Sequence, residues 1–83
     1  MYFVYIIRSE KLDKYYIGYT ENLVDRLLHH NSGATRSTKP GIPWIIVYQE
    51  SCLDKRTAWF RERQIKSYKG GEAFQKLING RVA

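Results

Sequence analysis

A single cysteine, Cys52, stands among the 83 residues. Alone it can close neither an internal disulfide nor a metal cluster. It lies beside Leu53, just past an apolar run, in the setting of a buried structural thiol rather than a nucleophile. Such cysteine usage suits a reducing cytoplasm. No apolar stretch is long enough to span a bilayer, and Arg8 interrupts the first one too early for a secretory leader, so no membrane role is expected. Zinc-type Cys/His spacing, a glycine-rich phosphate loop and a Ser-His-Asp set are all missing, and the only histidines, His29 and His30, are adjacent. Acidic residues are scarce, 8 against 14 basic ones, which leaves a formal charge of +6 and a pI near 9.6. On so small a chain that excess points to a polyanionic partner, although a solvated basic surface is the plain alternative.

What is abundant is apolar and aromatic: 43% hydrophobic residues, with seven tyrosines and two tryptophans. This is a globular composition, and the length suits one domain over residues 1–83. Tyr2–Ile7 and Tyr15–Thr20 are β-branched and aromatic runs that read as central strands, joined by a polar loop. Thr20 is a candidate N-cap, followed by Glu21 and Asp25 and by an apolar stripe of Leu23, Val24, Leu27 and Leu28. Asn31-Ser32-Gly33 ends that helix, with Gly33 as a left-handed C′ residue. Residues 34–43 form a loop carrying both prolines, Arg36 and Lys39. Trp44–Tyr48 is a third strand. Asp54 caps a second helix running to about Lys69, where Gly70-Gly71 stops it, and Glu72–Ile78 forms a third. The order β-β-α-β-α-α predicts an α+β fold, a three-stranded, mainly antiparallel sheet flanked by helices.

Several residues break the pattern. Glu62 falls within the apolar arc set by Ala58, Trp59 and Ile65, where a carboxylate is costly unless paired. It is either a metal ligand or the partner of Lys66, Arg61 or Arg63. Arg26 and His30, four apart on one helix, could grip a phosphate or be a solvated boundary pair. Gly18 within a strand marks a place where backbone or ligand comes close. Most tyrosines should be packing, because a catalytic phenol has to act against an ordinary pKa near 10. Trp44 and Trp59 could stack on bases, but packing is the simpler role for both.

Taken together, these residues resemble the GIY-YIG nucleases. Tyr16-Ile17-Gly18 matches the second signature triplet, and Phe3-Val4-Tyr5 stands where the family has Gly-Ile-Tyr. Arg26 follows Tyr16 by ten residues, and His30 comes one turn later. His30-Asn31-Ser32-Gly33, Pro43-Trp44 and Arg61-Glu62-Arg63-Gln64-Ile65-Lys66 look like the small single-domain branch. Phe74 occupies the position where larger members carry an asparagine.

The resemblance implies the fold already read from the pattern, and phosphodiester hydrolysis assisted by one divalent ion, Mg²⁺ or Mn²⁺. Glu62 would hold that ion. Arg26 would neutralise charge on the phosphoryl oxygens, and Tyr16 or Tyr5 would deprotonate the attacking water. His30 would position a phosphate or shuttle a proton. Arg36, Lys39 and Lys66 are the expected additional DNA contacts. The expected activity is that of an endonuclease on branched or damaged DNA in repair or recombination, with specificity supplied by substrate shape or a protein partner. A non-catalytic nucleic-acid-binding module on the same fold is the competing expectation.

Overall fold

The computed structural model describes residues 1–79. The elements are β1 (Tyr2–Ser9), β2 (Tyr15–Thr20), α1 (Leu23–Asn31), a short 3-10 turn (Lys39–Gly41), β3 (Trp44–Cys52), α2 (Lys55–Ser67) and α3 (Glu72–Asn79). The three strands form one antiparallel sheet in the order β2-β1-β3.

β1 is the central strand, and its continuous apolar run serves both faces of the sheet. Val4 and Ile6 point into a core made with Ala58 and Ile65 of α2 and Phe74 of α3. Tyr5 and Ile7 point the other way, against Trp44 and against Leu23 and Leu27 of α1. The sheet is thus sandwiched, α1 on one face and α2 with α3 on the other, as period-two alternation along a doubly buried strand demands.

β2 is not central as its sequence suggests. It lies at the sheet edge, because its apolar appearance comes from tyrosines that are only partly covered: Tyr15 is 38% exposed. β3 runs past Tyr48 to Cys52, since Gln49, Glu50 and Ser51 still pair with Tyr5, Val4 and Phe3. Gln49 and Ser51 are exposed, whereas Glu50 is half-buried and pairs with Arg61 of α2.

Helix ends show which local signals dominate. The N-cap of α1 is Asn22 rather than Thr20, its side chain accepting from the Asp25 N–H at 3.0 Å. Thr20 instead braces the turn, its hydroxyl accepting from the Asn22 N–H at 3.2 Å. Of the expected stripe, Leu23 and Leu27 pack against the sheet, whereas Val24 and Leu28 are 70% and 64% exposed. Gly33 closes α1 with φ of +84°, a left-handed conformation that suits glycine. α2 is capped by Asp54, whose carboxylate accepts from the Thr57 N–H at 2.8 Å, and ends at Ser67, two residues sooner than expected. Cys52 is buried, and burial raises its thiol pKa. No described helix is long and apolar enough to cross a membrane.

Candidate active site

Being at the edge, β2 can offer side chains from both of its faces to one space. Tyr16 and Gly18 alternate with Tyr19, and all three line a cavity of about 340 Å³ that wraps this strand. Tyr5 joins them from β1, Arg26 from α1, and Lys55 and Glu62 from α2. Two cations therefore face a single carboxylate, which gives a locally positive cleft suited to an anion.

Gly18 is what lets Tyr5 enter. The two residues are cross-strand partners, and the phenol lies across the glycine. A Cβ at position 18 would sit 2.6 Å from the Tyr5 oxygen and 2.8 Å from Cζ. The close approach expected of this glycine is thus made by a side chain of the protein itself.

Tyr5 is held in place from below by a buried chain. The Thr38 hydroxyl donates to the Thr35 carbonyl at 3.3 Å, leaving its lone pairs for the Nδ1–H of His30 at 2.9 Å. With Nδ1 protonated, Nε2 is an acceptor, and the Tyr5 O–H donates to it at 3.0 Å. Burial, then the nearby charges of Arg26 and His29, lowers the His30 pKa below its ordinary value, in keeping with a neutral ring. The Tyr5 phenol is pushed up to about 12, chiefly by burial and then by Tyr16. Arg26 acts in the opposite direction, and Glu62 reinforces the rise. Tyr5 is thus a protonated phenol whose hydrogen points at His30 and whose oxygen lone pairs are left for the cleft.

His30 itself is 1% exposed and does not line the cavity, so it cannot grip a phosphate beside Arg26. At i and i+4 both sit near the sheet, but the histidine lies under the tyrosines while the arginine reaches the opening. The Tyr16 ring meets the imidazole edge-on, with centroids 4.9 Å apart. The loop supplying Thr38 is itself pinned. Asn31 brackets the Trp44 backbone with bonds of 2.7 and 3.0 Å, and the Trp44 indole donates to the Thr38 carbonyl at 2.7 Å.

Glu62 takes the ion-paired reading and opens onto the cavity as well. It lines the cavity, and it also pairs with Lys66 at 2.9 Å, one helical turn on. Its side chain is 14% exposed, against 55% for that of Lys66. Arg61 is engaged elsewhere, with Glu50 at 2.8 Å, and the Arg63 guanidinium covers Trp59. Among the described residues no group of three or more His, Cys, Asp or Glu gathers for a metal. One carboxylate in an open cleft nevertheless fits Mg²⁺, which keeps several waters and completes its shell with substrate phosphate.

Arg36 and Lys39 are exposed on the 34–43 loop and do not line the cleft. Phe74 is 3% exposed, packed edge-to-face on Tyr15 at 5.1 Å, and so belongs to the core. Sequence reasoning overlooked Lys55, Tyr19 and Thr38. Helical spacing could have found Lys55, since 55, 59, 62 and 66 share one face of α2. Nothing local marks Thr38.

The model of the GIY-YIG catalytic domain matches residues 1–74 of the chain. UPF0213 protein SH2523 of Staphylococcus haemolyticus is 38% identical over 68 residues, covering 81% of this chain and 82% of that protein. UPF0213 protein DP2720 of Desulfotalea psychrophila is 39% identical over 67 residues, covering 78% of this chain and 60% of that protein. UPF0213 protein SERP0126 of Staphylococcus epidermidis is 32% identical over 80 residues, covering 95% and 96%. No solved structure matches the chain.

Proposed function

The chain belongs to the GIY-YIG family, a nuclease superfamily, and from that premise we propose that it is a divalent-metal-dependent endonuclease hydrolysing DNA phosphodiester bonds. The observation that carries the proposal is the meeting of Tyr5, Tyr16, Arg26 and Glu62, drawn from four different elements, around one positively charged cleft. Tyr5 and Tyr16 pack on each other, but packing gives no reason for a charged Arg26 and Glu62 from two different helices to open onto the same space.

The roles follow from exposure and charge. Arg26 and Lys55 bind the phosphate, and the arginine fork stabilises charge developing on its oxygens. Tyr16, half-buried and open to the cleft, takes the proton of the attacking water. Its own phenolic proton first leaves to solvent through the opening, and Arg26 and Lys55 line the same space. Tyr5 keeps its own proton on His30 and turns oxygen lone pairs toward that water. It is the orienting partner, with His30 and Thr38 as positioning residues beneath it. Glu62 holds the divalent ion, which when bound supplies Lewis-acid polarisation of the phosphoryl group. Water's oxygen forms the new bond to phosphorus, and the bond to the leaving oxygen breaks, that oxygen taking a proton from solvent. Lys66, paired with Glu62 here, would be free to meet the DNA backbone whenever that carboxylate held an ion.

The cleft presents two cations suited to phosphate, a contact that positions the protein on DNA without reading its sequence. This favours recognition of DNA shape, hence branched or damaged DNA in repair or recombination, with a protein partner adding specificity. The Glu62–Lys66 pair is the one observation that favours the second reading, a non-catalytic DNA-binding module.

Incubating branched and nicked DNA with the protein, with and without Mg²⁺ or Mn²⁺, separates the two. Metal-dependent cleavage that Glu62→Gln abolishes, with DNA binding retained, is the expected result. Binding without cleavage on every substrate would replace the nuclease with the binding module.

A further inference from the structure

Adjoining the cleft, and sharing Tyr19 and Lys55 with it, is a shallower cavity of about 390 Å³ completed by Arg56 and Trp59. Its character differs from that of the cleft. Two of its four walls are aromatic, the other two are cationic, and no carboxylate lines it. Trp59 is 40% exposed, and Phe60 beside it is 54% exposed, with ring centroids 4.9 Å apart. Arginines attend both rings: the Arg63 guanidinium lies 4.7 Å from the Trp59 centroid, and that of Arg56 lies 5.7 Å from the Phe60 centroid. Trp59 precedes Glu62 by one helical turn, a spacing of about 5–6 Å between Cβ atoms.

We propose that this cavity receives an unpaired DNA base, stacked on the Trp59 indole, from a nucleotide next to the phosphate held in the cleft. The inference rests on the reading of that cleft as a DNA phosphate site, and it deepens that reading by naming what lies beside the phosphate. Aromatic faces interleaved with cations are what a single strand needs, because every base has a π-face and every nucleotide a negative charge. Lys55 and Arg56 supply the complementary charge in the cavity, and Arg63 lies against the Trp59 ring outside its lining. A base within a duplex is already stacked and paired, so only a frayed, flapped or otherwise unpaired nucleotide can enter. Stacking on an indole is open to every base, so the contact selects for unpaired structure rather than for sequence.

The experiment uses the full chain without divalent ion and three DNAs of common sequence. One is a perfect duplex, one carries a single-stranded flap, and one carries the flap with an abasic site at its junction. Affinity is read by anisotropy, and stacking by quenching of tryptophan fluorescence. Trp44 is 6% exposed, so the quench reports Trp59. The flap should bind roughly 10- to 100-fold tighter than the duplex or the abasic flap, in line with the worth of one stacked base. Trp59→Ala should lose that preference and the quench, and Trp59→Phe should retain part of the preference. Urea midpoints check that both variants remain folded. A folded Trp59→Ala protein with undiminished flap preference overturns the inference and gives this face to some other occupant. The outcome is separable from that of the nuclease reading. Cleavage with no dependence on Trp59 sinks the base site alone, whereas flap binding with quench but no metal-dependent cleavage sinks the nuclease alone.

Discussion

Replacing Gly18 with alanine tests whether Tyr5 is held by a vacancy as much as by contacts. The new Cβ would meet the Tyr5 oxygen at 2.6 Å, and ordinary van der Waals contact begins near 3.4 Å, so the phenol has to shift by about 0.8 Å. It has little freedom to do so, being 1% exposed and tied to His30 at 3.0 Å. A shift of that size along the bond breaks it, leaving two buried polar groups unpartnered at about 1–3 kcal/mol. Overpacking adds a similar amount, ~1–3 kcal/mol. Against this, alanine reduces the freedom of the unfolded chain and returns about 0.4–1 kcal/mol. Because relaxation that relieves the overlap is the same movement that breaks the bond, the two costs are not additive. A net loss of about 2 kcal/mol is expected. Urea unfolding followed by tryptophan fluorescence should show it as a midpoint lowered by about 1–2 M, given a slope of ~1–2 kcal/mol/M for so small a chain. DNA cleavage should fall by about 100-fold, the usual consequence of misplacing a group by ~1 Å. An unchanged midpoint together with full cleavage would refute the account of Tyr5.

Three further outcomes are expected. Thr38→Val keeps the shape but removes the partner of the His30 Nδ1–H, so it should cost about 1–3 kcal/mol in urea unfolding, with Thr38→Ser largely restoring stability; equal midpoints for Val and wild type would count against the relay. His30 has a folded-state pKa below that of the unfolded chain, through burial first and then Arg26 and His29. Its stabilisation is therefore complete above the unfolded value of about 6.5 and is lost as pH falls from there through the folded value. Urea midpoints at pH 7.5 and 5.5 should differ in the wild type and converge in His30→Gln, and a wild type indifferent to this interval would contradict the neutral ring. Lys66→Ala should leave stability within about 0.5 kcal/mol, because the lysine end of the pair is more than half exposed. It should also lower the divalent concentration for half-maximal cleavage, by freeing the Glu62 carboxylate; a raised requirement would argue that Lys66 serves the ion rather than competes with it.

Much of this was written locally. The doubly apolar β1, the Asp54 cap of α2 and the glycine closing α1 are decided by residues within a few positions of one another, so the sequence alone determined the elements and their order. It also marked Glu62 and Gly18 as misfits, because a carboxylate on an apolar arc and a glycine in a strand need a reason wherever they fold. The reasons themselves lie across the sheet. That β2 is an edge strand depends on which neighbour pairs with β1, and only this lets Tyr16 and Tyr19, on opposite faces, line one cleft. That His30 is buried beneath Tyr5 rather than open to the cleft depends on Thr38, eight residues away on a loop with no periodicity to betray its direction. Lys55 enters the site only because α2 packs against β2. Local spacing fixes which way a side chain faces on its own element. What it then meets is set by burial and pairing between distant segments, and this the tertiary structure alone decided.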